Sequence, residues 1–118
     1  MSITLYQAAI NIQQKIALCV DDITFDSKRE ARRYIDLKIM QANNLISELR
    51  MQVPYTLVEA QKGGLRNELA VKYIADFVYF DNGLKKTIIE DVKGMATPIY
   101  VVKRKLMKQL GYEITQTK

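Results

Sequence analysis

The fold turns on one stretch of the chain: Tyr73-Ile-Ala-Asp-Phe-Val-Tyr-Phe-Asp-Asn-Gly-Leu-Lys-Lys-Thr-Ile-Ile-Glu-Asp-Val-Lys-Gly94. β-Branched and aromatic residues fill both halves, and Asn82-Gly83 divides them, so the stretch predicts two antiparallel strands joined by a tight turn. Asp76, Asp91 and Lys93 nevertheless stand among Ile, Val and Phe. Charged side chains are rarely buried unless they are paired or bound to a metal. Two carboxylates and a lysine in one hairpin therefore need a physical reason.

Asn82-Gly83 favours a two-residue type I′ loop. That loop pairs Asp81 with Leu84, and hence Asp76 with Ile89 and Ile74 with Asp91. Residues directly opposite share a face, which puts Asp76, Ile89, Asp91 and Lys93 on one side and Glu90 on the other. Asp76 and Asp91 become diagonal neighbours with backbones about 7–8 Å apart, and their carboxylates can reach one cation between them. A three-residue loop, Asp81–Gly83, would put Glu90 on the Asp76 face instead. The shorter loop is preferred because Lys93 then lies beside both acids. Tyr73, Phe77 and Tyr79 line one face and Ile74, Val78 and Phe80 the other, so both faces are expected to be covered. The plainer alternative is an Asp76–Lys93 ion pair without chemistry, which leaves Asp91 in need of a partner.

Outward from the hairpin, Ser27-Lys-Arg-Glu30 has the capping-box pattern and predicts a helix running to about Gln41, closed by Asn43-Asn44. Leu49–Glu59 alternates as a first strand, and Pro54 within it suggests an edge position or a bulge. Gln61–Asn67 is a loop, with Val71–Phe80 and Leu84–Lys93 as the second and third strands. A second helix spans Pro98–Leu110, with Thr97 as cap, Gly111 as terminator and an apolar stripe of Ile99, Val102, Leu106 and Leu110. Tyr112–Thr115 is a short last strand. Residues 1–22 are an N-terminal addition, either a helix on Leu5, Ala8, Ala9 and Ile12 or a hairpin of Lys15–Val20 with Ile23–Phe25. The order is helix, three strands, helix, strand, in one α/β (α+β) domain covering residues 1–118.

Composition narrows the chemistry. There is no histidine and one cysteine, Cys19, so Ser-His-Asp and Cys-His catalysis and Cys/His zinc sites are excluded. Cys19 reads as a small buried hydrophobe. Acid–base or metal work falls to carboxylates, lysines and tyrosines, and hard oxygen ligands suit Mg²⁺ or Mn²⁺. No apolar run is long enough to span a bilayer, and Met1–Ile10 lacks the basic start of a secretory signal, so a cytoplasmic protein without a membrane partner is expected. Eighteen Lys/Arg against 13 Asp/Glu give a net charge of +5. Lys28, Arg29, Arg32 and Arg33 crowd the first helix, and Lys103, Arg104, Lys105 and Lys108 the second. Such clusters fit either solvated helix faces or phosphate contacts.

Asp76 followed by Asp91-Val-Lys93 resembles the PD-(D/E)xK nuclease superfamily. The blocks Phe25-Asp-Ser-Lys-Arg-Glu-Ala-Arg-Arg-Tyr34, Met51-Gln-Val-Pro54, Tyr73-Ile-Ala-Asp-Phe77 and Glu90-Asp-Val-Lys-Gly94 resemble, in order, those of a small phage-encoded branch, over about residues 20–114. Ala75 replaces the proline of the superfamily pattern, a position that is commonly relaxed. The resemblance implies a restriction-endonuclease-like core, a mixed four-stranded sheet flanked by helices. It also implies that Asp76 and Asp91 bind Mg²⁺ (or Mn²⁺), with Glu30 completing the metal shell, and that Lys93 positions or deprotonates the attacking water. Glu30 has a competing role as the last residue of the capping box. Gln52 is implied as an active-site neighbour or is an ordinary strand residue, and Lys28, Arg32, Lys103 and Lys105 are candidate phosphate contacts. The expected activity is metal-dependent cleavage of DNA. Similarity in size and element order to Holliday-junction resolvases suggests branched DNA as substrate and a homodimer, acting in a bacterial host's cytoplasm if phage-encoded. The alternatives are a non-catalytic nucleic-acid-binding module of the same fold and a small structural or regulatory phage protein.

Overall fold

A computed structural model describes residues 19–21, 23–25, 27–63, 68–92 and 97–117, with Cys19 and Val20 described by their backbone alone. Lys93, the N-terminal helix expected on Leu5, Ala8, Ala9 and Ile12 and the expected burial of Cys19 therefore lie outside the described residues. The chain is α+β: a mixed four-stranded sheet with a helix on each face, in the order helix, three strands, helix, strand.

A minimal hairpin of β1 (Cys19–Val20) and β2 (Ile23–Thr24) comes first, and Tyr34 donates its hydroxyl to Asp21 Oδ2 at 2.8 Å, tying the hairpin to α1. Helix α1 (Lys28–Ala42) starts where the sequence sets it, with Ser27 Oγ accepting from the Glu30 N–H at 3.1 Å. It buries Ala31, Tyr34 and Leu37, spaced for one helical face, against Phe77, Tyr79 and Val92. Asn43 caps its end, and Asn44 takes a left-handed conformation, φ 61°.

Strand β3 (Ile46–Val58) begins three residues earlier than its alternation suggests. Glu48, at φ 57°, forms a bulge between the Ser47 and Arg50 pairings, so apolar Ile46 and Leu49 fall out of step yet face the same core. β3 is an edge strand, the first of the two positions that Pro54 suggests. β4 (Val71–Asp81) pairs antiparallel with β3 and with β5 (Lys86–Val92), and β5 pairs in parallel with β6 (Ile114–Thr117).

The β4–β5 turn differs from the two-residue loop that Asn-Gly suggests. Residues 82–85 form the turn and Asp81 pairs with Lys86, which moves the register by two residues. Asp81 decides this. Its Oδ1 accepts from the Gly83 and Leu84 N–H groups at 2.9 Å each, and its carbonyl accepts from Lys85 at 2.8 Å. Asn82 is occupied elsewhere, donating to the Asn44 carbonyl at 2.8 Å and accepting from the Ser47 hydroxyl at 3.2 Å. Lys85, at φ 58°, supplies the left-handed residue instead of Gly83. A shift of two keeps every side chain on its face.

Helix α2 (Pro98–Gln109) has the expected ends: Thr97 Oγ1 accepts from the Tyr100 N–H at 3.1 Å, Pro98 opens the first turn, and Gly111 follows at φ 93°. Its rotation differs from the stripe expected. Ile99, Val102 and Leu110 are 69%, 56% and 51% exposed, and only Leu106 of that stripe is half-buried. Tyr100 and Met107 face the sheet, packing with Ala75, Val78 and Ile89. The buried face is thus turned by one residue from the stripe expected.

Candidate functional site

The site is built at the far end of the β4–β5 hairpin from its turn. The ladder runs from Asp81–Lys86 to Phe77–Glu90 and then stops. One residue further in that register, Asp76 stands against Asp91. In place of a ladder bond, the Asp76 side chain accepts the Val92 N–H through Oδ2 at 2.8 Å. β4 also changes step here. Phe77 and Tyr79 face the α1 core, whereas Tyr73, Ala75 and Val78 belong to the α2 core, so the in–out alternation slips at Asp76. Across from it on β3, Gln52 adopts φ 51° between the Met51–Phe77 and Val53–Ala75 pairs. This slip corrects the assignment of Tyr73 to the Phe77 face and leaves Ile74 exposed.

The slip gives Asp91 its partner. Tyr73, swung to the α2 side, donates its hydroxyl to Asp91 Oδ2 at 3.0 Å. Asp91 is buried, and with Glu90 it is one of two buried charged residues among the described residues. Burial raises the Tyr73 pKa, and the Asp91 charge and hydrogen bond raise it further, with smaller contributions from Tyr100 and Asp76. Tyr100 is raised by burial first, then by Asp91 and, opposed by Arg104, by Asp76. Burial and the nearby carboxylates thus favour the neutral form of both tyrosines.

Glu90 points the other way, as the parity of the hairpin requires. It accepts from Arg33 of α1 through both oxygens, Nη2 to Oε2 at 3.1 Å, and from the Tyr79 hydroxyl at 2.7 Å. The acid beside the site is therefore an anchor for α1, and its Arg33 and Tyr79 partners carry no sequence signal beyond their helix and strand positions. Arg33 has its pKa raised, chiefly by that hydrogen bond.

The remaining candidates are distributed around this centre. Glu30 is half-buried and lines a cavity of about 560 Å³ with Ser27, Lys28, Arg29, Arg32 and Val92, and another of about 350 Å³ with Phe25, Met51 and Gln52. Asp91 lines a third, of about 270 Å³, with Lys72, Tyr73, Thr97, Tyr100 and Lys103. Lys105 lies further along α2, lining a pocket with Arg104 and Lys108. Asp76 and Asp91 are thus brought together. Glu30 and Gln52 share a cavity on the α1 side, and Val92, bonded to Asp76, borders the cleft of Glu30. Among the described residues no three His, Cys, Asp or Glu side chains cluster with metal-holding geometry. The donor chemistry of Asp76 and Asp91 still fits a hard divalent cation, since both offer carboxylate oxygens, while the basic side chains at the openings on either side suit phosphate. Tyr100 carries no signal in the sequence, because the apolar stripe of Ile99, Val102, Leu106 and Leu110 puts it off the face expected to be buried.

No helix among the described residues is long and apolar enough to cross a membrane. Neither curated proteins nor solved structures give a match to this chain. Residues 11–117 match a family described as protein of unknown function (DUF1064), and the chain, matched over nearly all its length, belongs to that family.

Proposed function

We propose that the protein is a metal-dependent DNA endonuclease of the PD-(D/E)xK type. The observation that carries this reading is the convergence of Asp76 and Asp91 at the parted end of β4 and β5, flanked by basic residues of both helices. Asp76 and Asp91 would hold Mg²⁺ or Mn²⁺, which polarises a phosphate and lowers the pKa of a bound water. Tyr73 fixes the orientation of the Asp91 carboxylate by its hydrogen bond. Lys93, two residues beyond Asp91, is assigned the attacking water by the resemblance of Asp91-Val-Lys93 to the superfamily motif. Lys28, Arg32, Lys103 and Lys105 grip flanking phosphates, and Glu30 and Gln52 line the approach from the α1 side.

A homodimer would present two such centres to a branched junction. Such an enzyme would work in the cytoplasm, that of a bacterial host if phage-encoded. The test is cleavage of duplex, single-stranded, flapped and four-way DNA with Mg²⁺ or Mn²⁺. Cleavage of at least one substrate, lost on chelation and in Asp76→Asn, is expected. Salt-sensitive binding without cleavage would instead identify a non-catalytic DNA-binding module.

A further inference from the structure

Tyr100 poses a problem that the acidic pair does not solve. Its side chain is 7% exposed, and its hydroxyl is buried with no hydrogen-bond partner among the described residues. A buried hydroxyl left without a partner is costly, so one that persists points to something that satisfies it. The neighbouring tyrosine shows the contrast: Tyr73, on the same face, spends its hydroxyl on Asp91. The two side chains line one cavity of about 270 Å³ with Asp91, Thr97, Lys72 and Lys103. Lys72 comes from the start of β4 and Lys103 from the second turn of α2, so the cavity carries two cations from separate elements. The N-terminus of α2 adds its dipole, with Thr97 as the cap.

We propose that this cavity is a phosphate-oxygen subsite beside the acidic pair, in which the Tyr100 hydroxyl donates to a non-bridging oxygen of the DNA backbone and Lys103 and Lys72 pair with its charge. The inference rests on the nuclease reading for its ligand, a phosphate of the DNA backbone. Burial and the nearby carboxylates keep the Tyr100 hydroxyl protonated, so it is a neutral donor throughout the working pH range. A neutral donor fixes the position of an oxygen and adds no charge, whereas Lys103 adds charge. The two side chains therefore leave different signatures.

The test uses the full chain and fluorescein-labelled duplex and four-way DNA, with binding read by anisotropy in the Asp76→Asn background in Mg²⁺. Tyr100→Phe should weaken binding about tenfold or more, the worth of a hydrogen bond to a charged group, and leave the dependence of log K on log salt unchanged. Lys103→Ala should lower that slope by about one. Without DNA, Tyr100→Phe should melt at the same temperature as its parent or higher, because it removes an unsatisfied group. Unchanged DNA affinity in Tyr100→Phe would overturn the inference while leaving the nuclease reading in place, as would a lower melting temperature, which would reveal a partner for the hydroxyl within the protein. If the parent chain cleaves no DNA yet Tyr100→Phe weakens binding, the nuclease reading falls and the phosphate subsite stands. If the parent neither cuts nor binds DNA, both fall.

Discussion

The carboxylate of Asp76 accepts the backbone N–H of Val92 at 2.8 Å, at the point where the β4–β5 ladder ends. A side chain here does what a carbonyl does elsewhere in the sheet. Asp76 is thereby fixed beside Asp91 by the backbone of the very strand that carries Asp91, and the spacing of the two acids is set by the fold.

This bond separates chemistry from folding at Asp76. Asparagine keeps an oxygen that can accept the Val92 N–H but loses the charge. Asp76→Asn should lower metal-dependent cleavage about a thousandfold or more, the scale of a lost metal ligand. Its stability should stay within about 1 kcal/mol of the parent. Cleavage rates and urea melts on one preparation check both.

The Arg33–Glu90 pair is expected to matter for stability. Glu90 is fully buried, and removing one partner of a buried pair strands the other's charge or hydrogen bonds. Glu90→Ala should destabilise by about 3–5 kcal/mol. Equilibrium urea unfolding gives the number, and a loss below about 1 kcal/mol would contradict the anchoring role assigned to the pair.

Tyr73→Phe tests the orientation of Asp91. Losing a donor to a buried carboxylate should cost about 1.5–3 kcal/mol. The same variant should weaken Mg²⁺ or Mn²⁺ binding, measured by calorimetry, because Asp91 loses a bond that helps to orient it. Wild-type metal affinity in Tyr73→Phe would show that its hydroxyl does not orient the ligand.

Tyrosine ionisation provides a pH test. Burial, then the hydrogen bond to Glu90, raise Tyr79 to about 12 from an ordinary value of 10.0. The folded state favours the protonated phenol, so this contribution to stability is complete below pH 10 and is lost as pH rises through 12. Absorbance at the tyrosinate band should show part of the seven tyrosines resisting ionisation until unfolding, and urea stability should fall between those pH values. Tyr79→Phe should flatten that fall.

Much of this was legible in the residues. The helix starts at Ser27 and Thr97, the edge position of β3 at Pro54 and the opposite facing of Glu90 and Asp91 all follow from neighbours a few positions apart. Caps, rings and pleats act over one turn or one residue, so the sequence suffices to set them. The β4–β5 register escaped because Asn82 bonds to Asn44 and Ser47, more than thirty positions away, while Asp81 closes a longer turn.

The tertiary structure alone settled the rest. The slip at Asp76 lies across from the left-handed Gln52, and it brings Tyr73 to Asp91. The rotation of α2 packs Tyr100 with Ala75, Val78 and Ile89 and leaves Ile99 and Val102 outward. The sequence by itself determined which residues carry charge, where the two helices start and that Glu90 and Asp91 face opposite ways. Packing between distant segments decided how the acids meet and which hydroxyls stand beside them, because shape complementarity acts between surfaces that the chain order does not join.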